Sequence, residues 1–78
     1  MTNSDFRQYL QKRLAQVRKD IENPEVSQTA REGLRYAEKD ITTMLKIMAL
    51  GGKSARRVRR DYERRLAKRG IDINALEV

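Results

Sequence analysis

Cysteine, histidine and tryptophan are all missing from the 78 residues of this chain. Without cysteine the protein has neither a disulfide nor a thiolate zinc site. Without histidine it lacks the usual acid–base group at neutral pH and the commonest metal ligand. We therefore expect a protein that is not an enzyme and that needs no metal and no other cofactor.

Long hydrophobic runs are also missing. The longest uninterrupted apolar run is Ile47-Met48-Ala49-Leu50, whereas a membrane-spanning helix needs roughly 18 apolar residues or more. The polar N-terminus has no apolar segment of the kind found in a signal peptide. These features predict a soluble, cytoplasmic protein without a membrane partner.

The chain is too short for a large core. A protein of this length buries only about 60% of the surface that its unfolded chain exposes. Because no disulfide and no metal adds stability, a small domain of this kind commonly gains its extra buried surface by self-association. We predict one helical domain over residues 1–78 and expect a homodimer.

The sequence contains series of apolar residues that are three or four positions apart. This spacing places them on one face of a helix. The first such series is Phe6, Leu10, Leu14, Val17 and Ile21. Ser4 is a suitable N-cap for it, and Asn23-Pro24 ends the helix because the residue before proline avoids helical geometry. The series predicts a helix over about residues 5–22.

A second series has the average 3.5-residue spacing of a coiled-coil contact. Its members are Ala30, Leu34, Ala37, Ile41, Met44 and Met48. This helix ends near residue 50 and starts either at Pro24, capped by Asn23, or at Gln28, capped by Ser27, and we prefer the second start. It should lie antiparallel to the first helix. Gly33 indicates either close approach by another helix or simple tolerance.

Gly51-Gly52 interrupts the second helix, and Ser54 is the expected N-cap of a third helix over about residues 54–69, with Gly70 as its C-terminal cap. Beyond it, Asp72 can cap a short turn. The tail residues expected to pack on the bundle are Ile71, Ile73 and Leu76. The fold class is therefore all-α: a three-helix bundle built on an antiparallel hairpin, with a basic third helix and a short C-terminal turn.

Positive charge is concentrated in the third helix. Residues 51–78 carry nine basic and four acidic side chains, which is +5 of the net charge of +7. At 100° per residue, an apolar stripe of Ala55, Val58, Tyr62 and Leu66 lies opposite an acid-free arc of about 120°. The basic residues on this arc are Lys53, Arg56, Arg57, Arg60, Arg64 and Lys68.

Asp61 and Glu63 flank this basic arc, and Arg59, Arg65 and Arg69 also lie outside it. We expect these three arginines to pack, pair or snorkel rather than to bind a partner. By their spacing, Asp61 can pair with Arg57, Arg64 or Arg65, and Glu63 with Arg59 or Arg60. A charged helix face can simply be solvated, but such a face normally mixes signs because like charges four residues apart repel each other. The arc therefore favours an anionic partner, and arginine favours phosphate or a guanine edge.

Two further features refine this hypothesis. Gly51, Gly52 and Ser54 could form a phosphate-binding loop at the start of the third helix, or a plain helix–helix turn. The second helix, the turn and the third helix could also form a helix-turn-helix unit. Alternatively, the third helix is an arginine-rich helix laid on RNA or along a phosphate backbone by shape and charge. Residues 54–60 resemble the arginine-rich peptides of phage antitermination proteins, in composition only.

The predicted function is that of a small regulatory protein that binds DNA or RNA through phosphate contacts of its arginine-rich third helix. The alternative is a helical protein-interaction module, such as an adaptor, inhibitor or assembly factor. Such a module would dock its basic helix on an acidic protein surface.

Overall fold

The computed structural model of the protein describes residues 1–77. It contains three helices, α1 (Asn3–Glu22), α2 (Gln28–Met48) and α3 (Gly52–Ala67), followed by a 3₁₀ turn (Ile73–Ala75). Over these residues there is no strand, so the predicted all-α three-helix bundle is confirmed. None of the three helices combines the length and the apolar character that a membrane crossing requires.

The first helix begins two residues earlier than predicted. Thr2 is its N-cap: the Thr2 hydroxyl accepts from the Asp5 N–H at 3.1 Å, and the Thr2 N–H donates to Asp5 Oδ2 at 3.3 Å. This reciprocal pair satisfies two donors at the helix start. Ser4 lies inside the helix, so its assignment as the cap was wrong.

The second helix begins at Gln28, which is the preferred one of the two predicted starts. The Ser27 hydroxyl accepts from the Ala30 N–H at 3.2 Å. Arg31 connects the first turn of α2 to the end of α1, since Arg31 Nε donates to the Ile21 carbonyl at 3.0 Å. The helix ends at Met48, two residues before the predicted end.

The third helix also begins two residues earlier than predicted, with Gly51 at the N-cap position. Ser54 lies in the first turn of α3, so its assignment as the cap was wrong. Gly51 and Gly52 have φ values of 67° and 55°, in the left-handed region that glycine adopts without steric cost. These two residues allow the chain to reverse direction sharply between α2 and α3.

The end of α3 is a Schellman motif. The Ile71 N–H donates to the Leu66 carbonyl and the Gly70 N–H to the Ala67 carbonyl, both at 3.0 Å. Gly70 has a φ of 75°, as the predicted C-terminal cap requires. The predicted turn at Asp72 is also present, because the Asp72 carboxylate accepts from the Asn74 N–H at 2.9 Å.

The core draws on all three helices and on the tail. Its buried residues are Phe6, Leu10, Leu14, Val17, Ile41, Met44, Met48, Ala55, Leu66 and Ile73. In the tail, Leu76 is half-buried, whereas Ile71 is 40% exposed and does not pack as predicted. Ala30, expected on the seam of α2, is exposed, and Leu34 is only half-buried.

The position of α3 explains this uneven burial. Arg59 of α3 contacts Asn3 at the start of α1, and Arg65 contacts Asp40 in the second half of α2. The third helix thus runs in the direction of α1 over one half of the hairpin. The other half, which contains Ala30, remains a two-helix arm without a third layer.

Alanine substitution at two glycines should change the free energy of unfolding in opposite directions. Nothing lies within 4 Å of a Cβ added to helical Gly33, so Gly33→Ala should raise the free energy of unfolding by about 0.5–1 kcal/mol. Gly51→Ala should lower it by about 1–3 kcal/mol, because Gly51 has φ 67° and ψ −168°, a backbone region that is essentially restricted to glycine. Urea denaturation followed by circular dichroism measures both changes. A loss of stability in Gly33→Ala would contradict the open surroundings of that residue.

Candidate nucleic-acid interface

The outer face of α3 brings most of the predicted basic residues together. All six are exposed. Five of them, with Asp61, border one shallow, open space of about 390 Å³ between side chains of this single helix. These basic lining residues are Lys53, Arg56, Arg57, Arg60 and Arg64. We call this the basic groove.

Lys68 is the one predicted residue that does not line the basic groove. It occupies the C-cap position of α3, one turn beyond Arg64, and its N–H donates to the Arg64 carbonyl at 3.2 Å. A cation at this end of a helix interacts favourably with the helix dipole. Lys68 therefore extends the row of positive charge while also stabilising the helix end.

The charge of the basic groove is little compensated within residues 1–77. Of the six basic side chains, Arg64 alone forms an ion pair there, at 3.6 Å from Asp61. Both partners are more than half exposed, at 77% and 54%, and such surface pairs contribute little because water and salt screen them. The groove consequently keeps most of its positive charge available for a partner.

Asp61 pairs with Arg64, one of the three partners that its spacing predicts. On the wheel it lies at the edge of the basic arc, but its side chain reaches into the groove beside Arg64. The i,i+3 spacing of these two residues was the sequence signal for the contact. The groove is therefore cationic with one carboxylate in it, rather than purely cationic.

Two of the arginines assigned to the flanks contact other elements of the bundle. Arg59 Nε donates to Asn3 Oδ1 at 2.7 Å. Arg65 pairs with Asp40 at 3.4 Å, and its guanidinium lies 5.7 Å from the centre of the Tyr62 ring. Both side chains thus pack or pair, as predicted, although with Asn3 and Asp40 rather than with Glu63 and Asp61.

An aromatic cluster positions the middle of α3. The Tyr62 ring lies 5.2 Å from the ring of Phe6 and 6.1 Å from that of Tyr9, and the two tyrosine hydroxyls are 3.3 Å apart. Burial, together with the hydrogen bond to Tyr9, raises the pKa of Tyr62 to about 12. These contacts agree with the prediction that Tyr62 belongs to the packed stripe of α3.

The residues of the predicted phosphate-binding loop are arranged as a tight connection between helices. The Gly51 carbonyl accepts from the Ala55 N–H at 3.2 Å. Gly52 opens the helix, and Ser54 is exposed in its first turn. No side chain hydrogen-bonds to the start of α3 within the described chain. Phosphate binding by Gly51, Gly52 and Ser54 stays a prediction.

A second groove of about 550 Å³ lies between α2 and α3. Its apolar lining residues are Ile47 and Val58, both half-buried. It shares Lys53, Arg57 and Asp61 with the basic groove. The two grooves are therefore adjacent, one mainly cationic and one with an apolar floor.

No protein-family model, curated protein or solved structure matches this chain. A function must therefore be argued from the side chains of α3 and from the surfaces beside them.

The raised pKa of Tyr62 predicts a loss of stability at high pH. An unfolded tyrosine ionises near pH 10, whereas the pKa of folded Tyr62 is about 12. The contribution of its neutral hydroxyl is complete below pH 10 and is lost as the pH rises from about 10 to about 12. Free energies of unfolding from urea titrations should therefore decline more steeply over this interval in the wild type than in Tyr62→Phe.

Tyr36→Phe is the matched control, because Tyr36 is 78% exposed. Its stability should follow the wild-type dependence on pH. Identical pH dependence in the wild type and in Tyr62→Phe would contradict the role given to the buried hydroxyl.

Proposed function

We propose that this protein is a small regulatory protein that binds DNA or RNA, with α3 contacting the phosphates. The observation that carries the proposal is the basic groove: five exposed basic side chains along one helix face, with one exposed ion pair among them in the described chain. Electrostatic contacts with phosphates supply most of the affinity in sequence-independent nucleic-acid binding.

The arrangement of the charges supports a phosphate partner over a simply solvated face. Arg56, Arg60, Arg64 and Lys68 follow one another at four-residue intervals, so each neighbouring pair repels in the free protein. An anion along the row relieves this repulsion. Arginine also matches phosphate geometry with two parallel hydrogen bonds, which a lysine ammonium does not provide.

The packing of α3 favours an arginine-rich helix laid along nucleic acid over a helix-turn-helix. In the latter motif the two helices cross at about 90–120°. Here the contacts of α3 move back along α2, from Met48 beside Ala55 to Asp40 beside Arg65. The two helices therefore run in opposite directions, and the basic face of α3 lies on the outside.

A homodimer in the cytoplasm completes the proposal. Its support is the small core together with Tyr36 and Leu50, which are 78% and 75% exposed. Sedimentation equilibrium measures the molecular mass in solution, and a monomer at all concentrations would remove this part of the proposal without affecting phosphate binding.

Binding should depend strongly on salt. If all six basic side chains engage duplex phosphates, the logarithm of the binding constant should fall with the logarithm of the salt concentration at a slope of about 5. Fluorescence anisotropy with duplex DNA, single strands and structured RNA, from about 50 to about 200 mM salt, measures this slope. A flat titration, or no binding to any of the three at low salt, would overturn the proposal.

Single substitutions in the basic groove test the same idea. Arg60→Ala and Arg64→Ala should each weaken binding to all sequences and lower the salt slope by about 1, because each removes one phosphate contact. Arg35→Ala is the matched control: it removes the same charge from an exposed position of α2 outside the basic groove. An equal loss of affinity in all three variants would assign the effect to net charge alone.

The second groove favours one alternative, a protein-interaction module that docks its basic helix on an acidic protein surface. Ile47 and Val58 could take an apolar side chain of the partner while Lys53 and Arg57 meet its acidic groups. Nucleic-acid content of the purified protein, from the ratio of absorbance at 260 and 280 nm, distinguishes the two functions. Ile47→Asn should leave nucleic-acid binding intact but weaken binding to an acidic protein.

A further inference from the structure

The dimensions of α3 match one particular nucleic-acid surface. An α-helix with its side chains is about 10–12 Å wide, and the major groove of B-form DNA is about 12 Å wide and 8.5 Å deep. The 16 residues of α3 extend for about 24 Å. The residues on its outer arc are exposed along this whole length, so no other part of the described chain covers the face that would enter the groove.

The basic arc divides into a centre and two edges. At 100° per residue, Lys53, Arg60 and Arg64 lie within about 20° of the middle of the arc. The edge positions are Arg56 on one side and Arg57 and Lys68 on the other, about 40–60° from the middle. When the helix lies in the major groove of DNA, the side chains at the centre of the arc face the bases. The side chains at the two sides of the arc face the phosphates on either side of the groove.

We propose that α3 enters the major groove of duplex DNA, with Arg60 and Arg64 on guanine edges and the edge residues on phosphates. This inference rests on the proposed function and names its substrate. Arg60 and Arg64 are one helical turn apart, about 6 Å, which is close to two base-pair steps of 3.4 Å. Arginine bonded to O6 and N7 of guanine is the commonest specific contact in this groove.

Asp61 lies beside this arrangement rather than at its centre. At 100° per residue it is about 80° from the middle of the arc, beyond Arg57 and Lys68. Its carboxylate lies 3.6 Å from Arg64 Nη1. Because this ion pair is exposed and screened by water, it holds Arg64 only weakly and leaves its guanidinium free to bond to a guanine edge.

RNA duplexes and single strands fit the basic face of α3 less well than duplex DNA does. The major groove of A-form RNA is deep and too narrow for side chains to read. Single strands are usually held by aromatic side chains that stack on bases. No aromatic residue is among those that line the basic groove, since Tyr62 packs against Phe6 and exposed Tyr36 belongs to α2.

The test compares two duplexes of identical charge. One is an alternating guanine–cytosine duplex, which offers guanine in every register, and the other carries 7-deazaguanine, which lacks the N7 acceptor. The wild type should bind the 7-deazaguanine duplex roughly five- to tenfold more weakly at the same salt concentration. Fluorescence anisotropy of the full chain with each labelled duplex measures this ratio.

Arginine-to-lysine variants identify which side chains contact guanine. Arg60→Lys and Arg64→Lys keep the charge but lose the bidentate fork, so each should reduce the preference for guanine over 7-deazaguanine. Arg35→Lys, outside the basic groove, should keep the wild-type ratio. The same ratio in all of these proteins would overturn the assignment to Arg60 and Arg64.

The outcomes separate this inference from the proposed function. Equal, salt-dependent binding of the two duplexes would overturn major-groove reading and leave phosphate binding intact. Tighter binding of duplex RNA or of single strands than of duplex DNA would overturn the inference in the same way. No binding to any nucleic acid at low salt would overturn both.

Discussion

The packing of Tyr62 against Phe6 and Tyr9 controls the direction in which the basic face of α3 points. A helix turns by 100° per residue, so fixing one side of α3 on the core fixes every other side as well. Tyr62 lies within 5.2 Å of the Phe6 ring, and Ala55 and Leu66 are buried at either end of the same stripe. The six basic side chains lie outside because this stripe lies inside.

The arginines of the protein perform two different tasks, and the total charge does not distinguish them. Arg31 bonds to the last carbonyls of α1, Arg59 to Asn3, and Arg65 to Asp40. Each of these side chains joins two elements of the bundle. In the basic groove, by contrast, the side chains extend from one helix into solvent. Of these two groups, only the first joins elements of the bundle.

Much of the fold could be predicted from periodicity, but the helix ends could not. Apolar spacing identified three helices because burial of one face repeats with the helical period. The N-caps at Ser4 and Ser54 were wrong because several residues near each start could cap a helix. At the start of α1, Thr2 pairs reciprocally with Asp5. At the start of α3, the backbone of Gly51 and Gly52 allows the helix to begin earlier.

The sequence by itself determined the helical class and the separation of an apolar stripe from a basic arc, because both depend on spacing along a single helix. Only the tertiary structure decided which end of the hairpin α3 covers, leaving Ala30 exposed. It also decided that Ile47 of α2 and Val58 of α3 form a second groove beside the basic groove. Both features depend on contacts between different helices, which the spacing of residues along one helix does not determine.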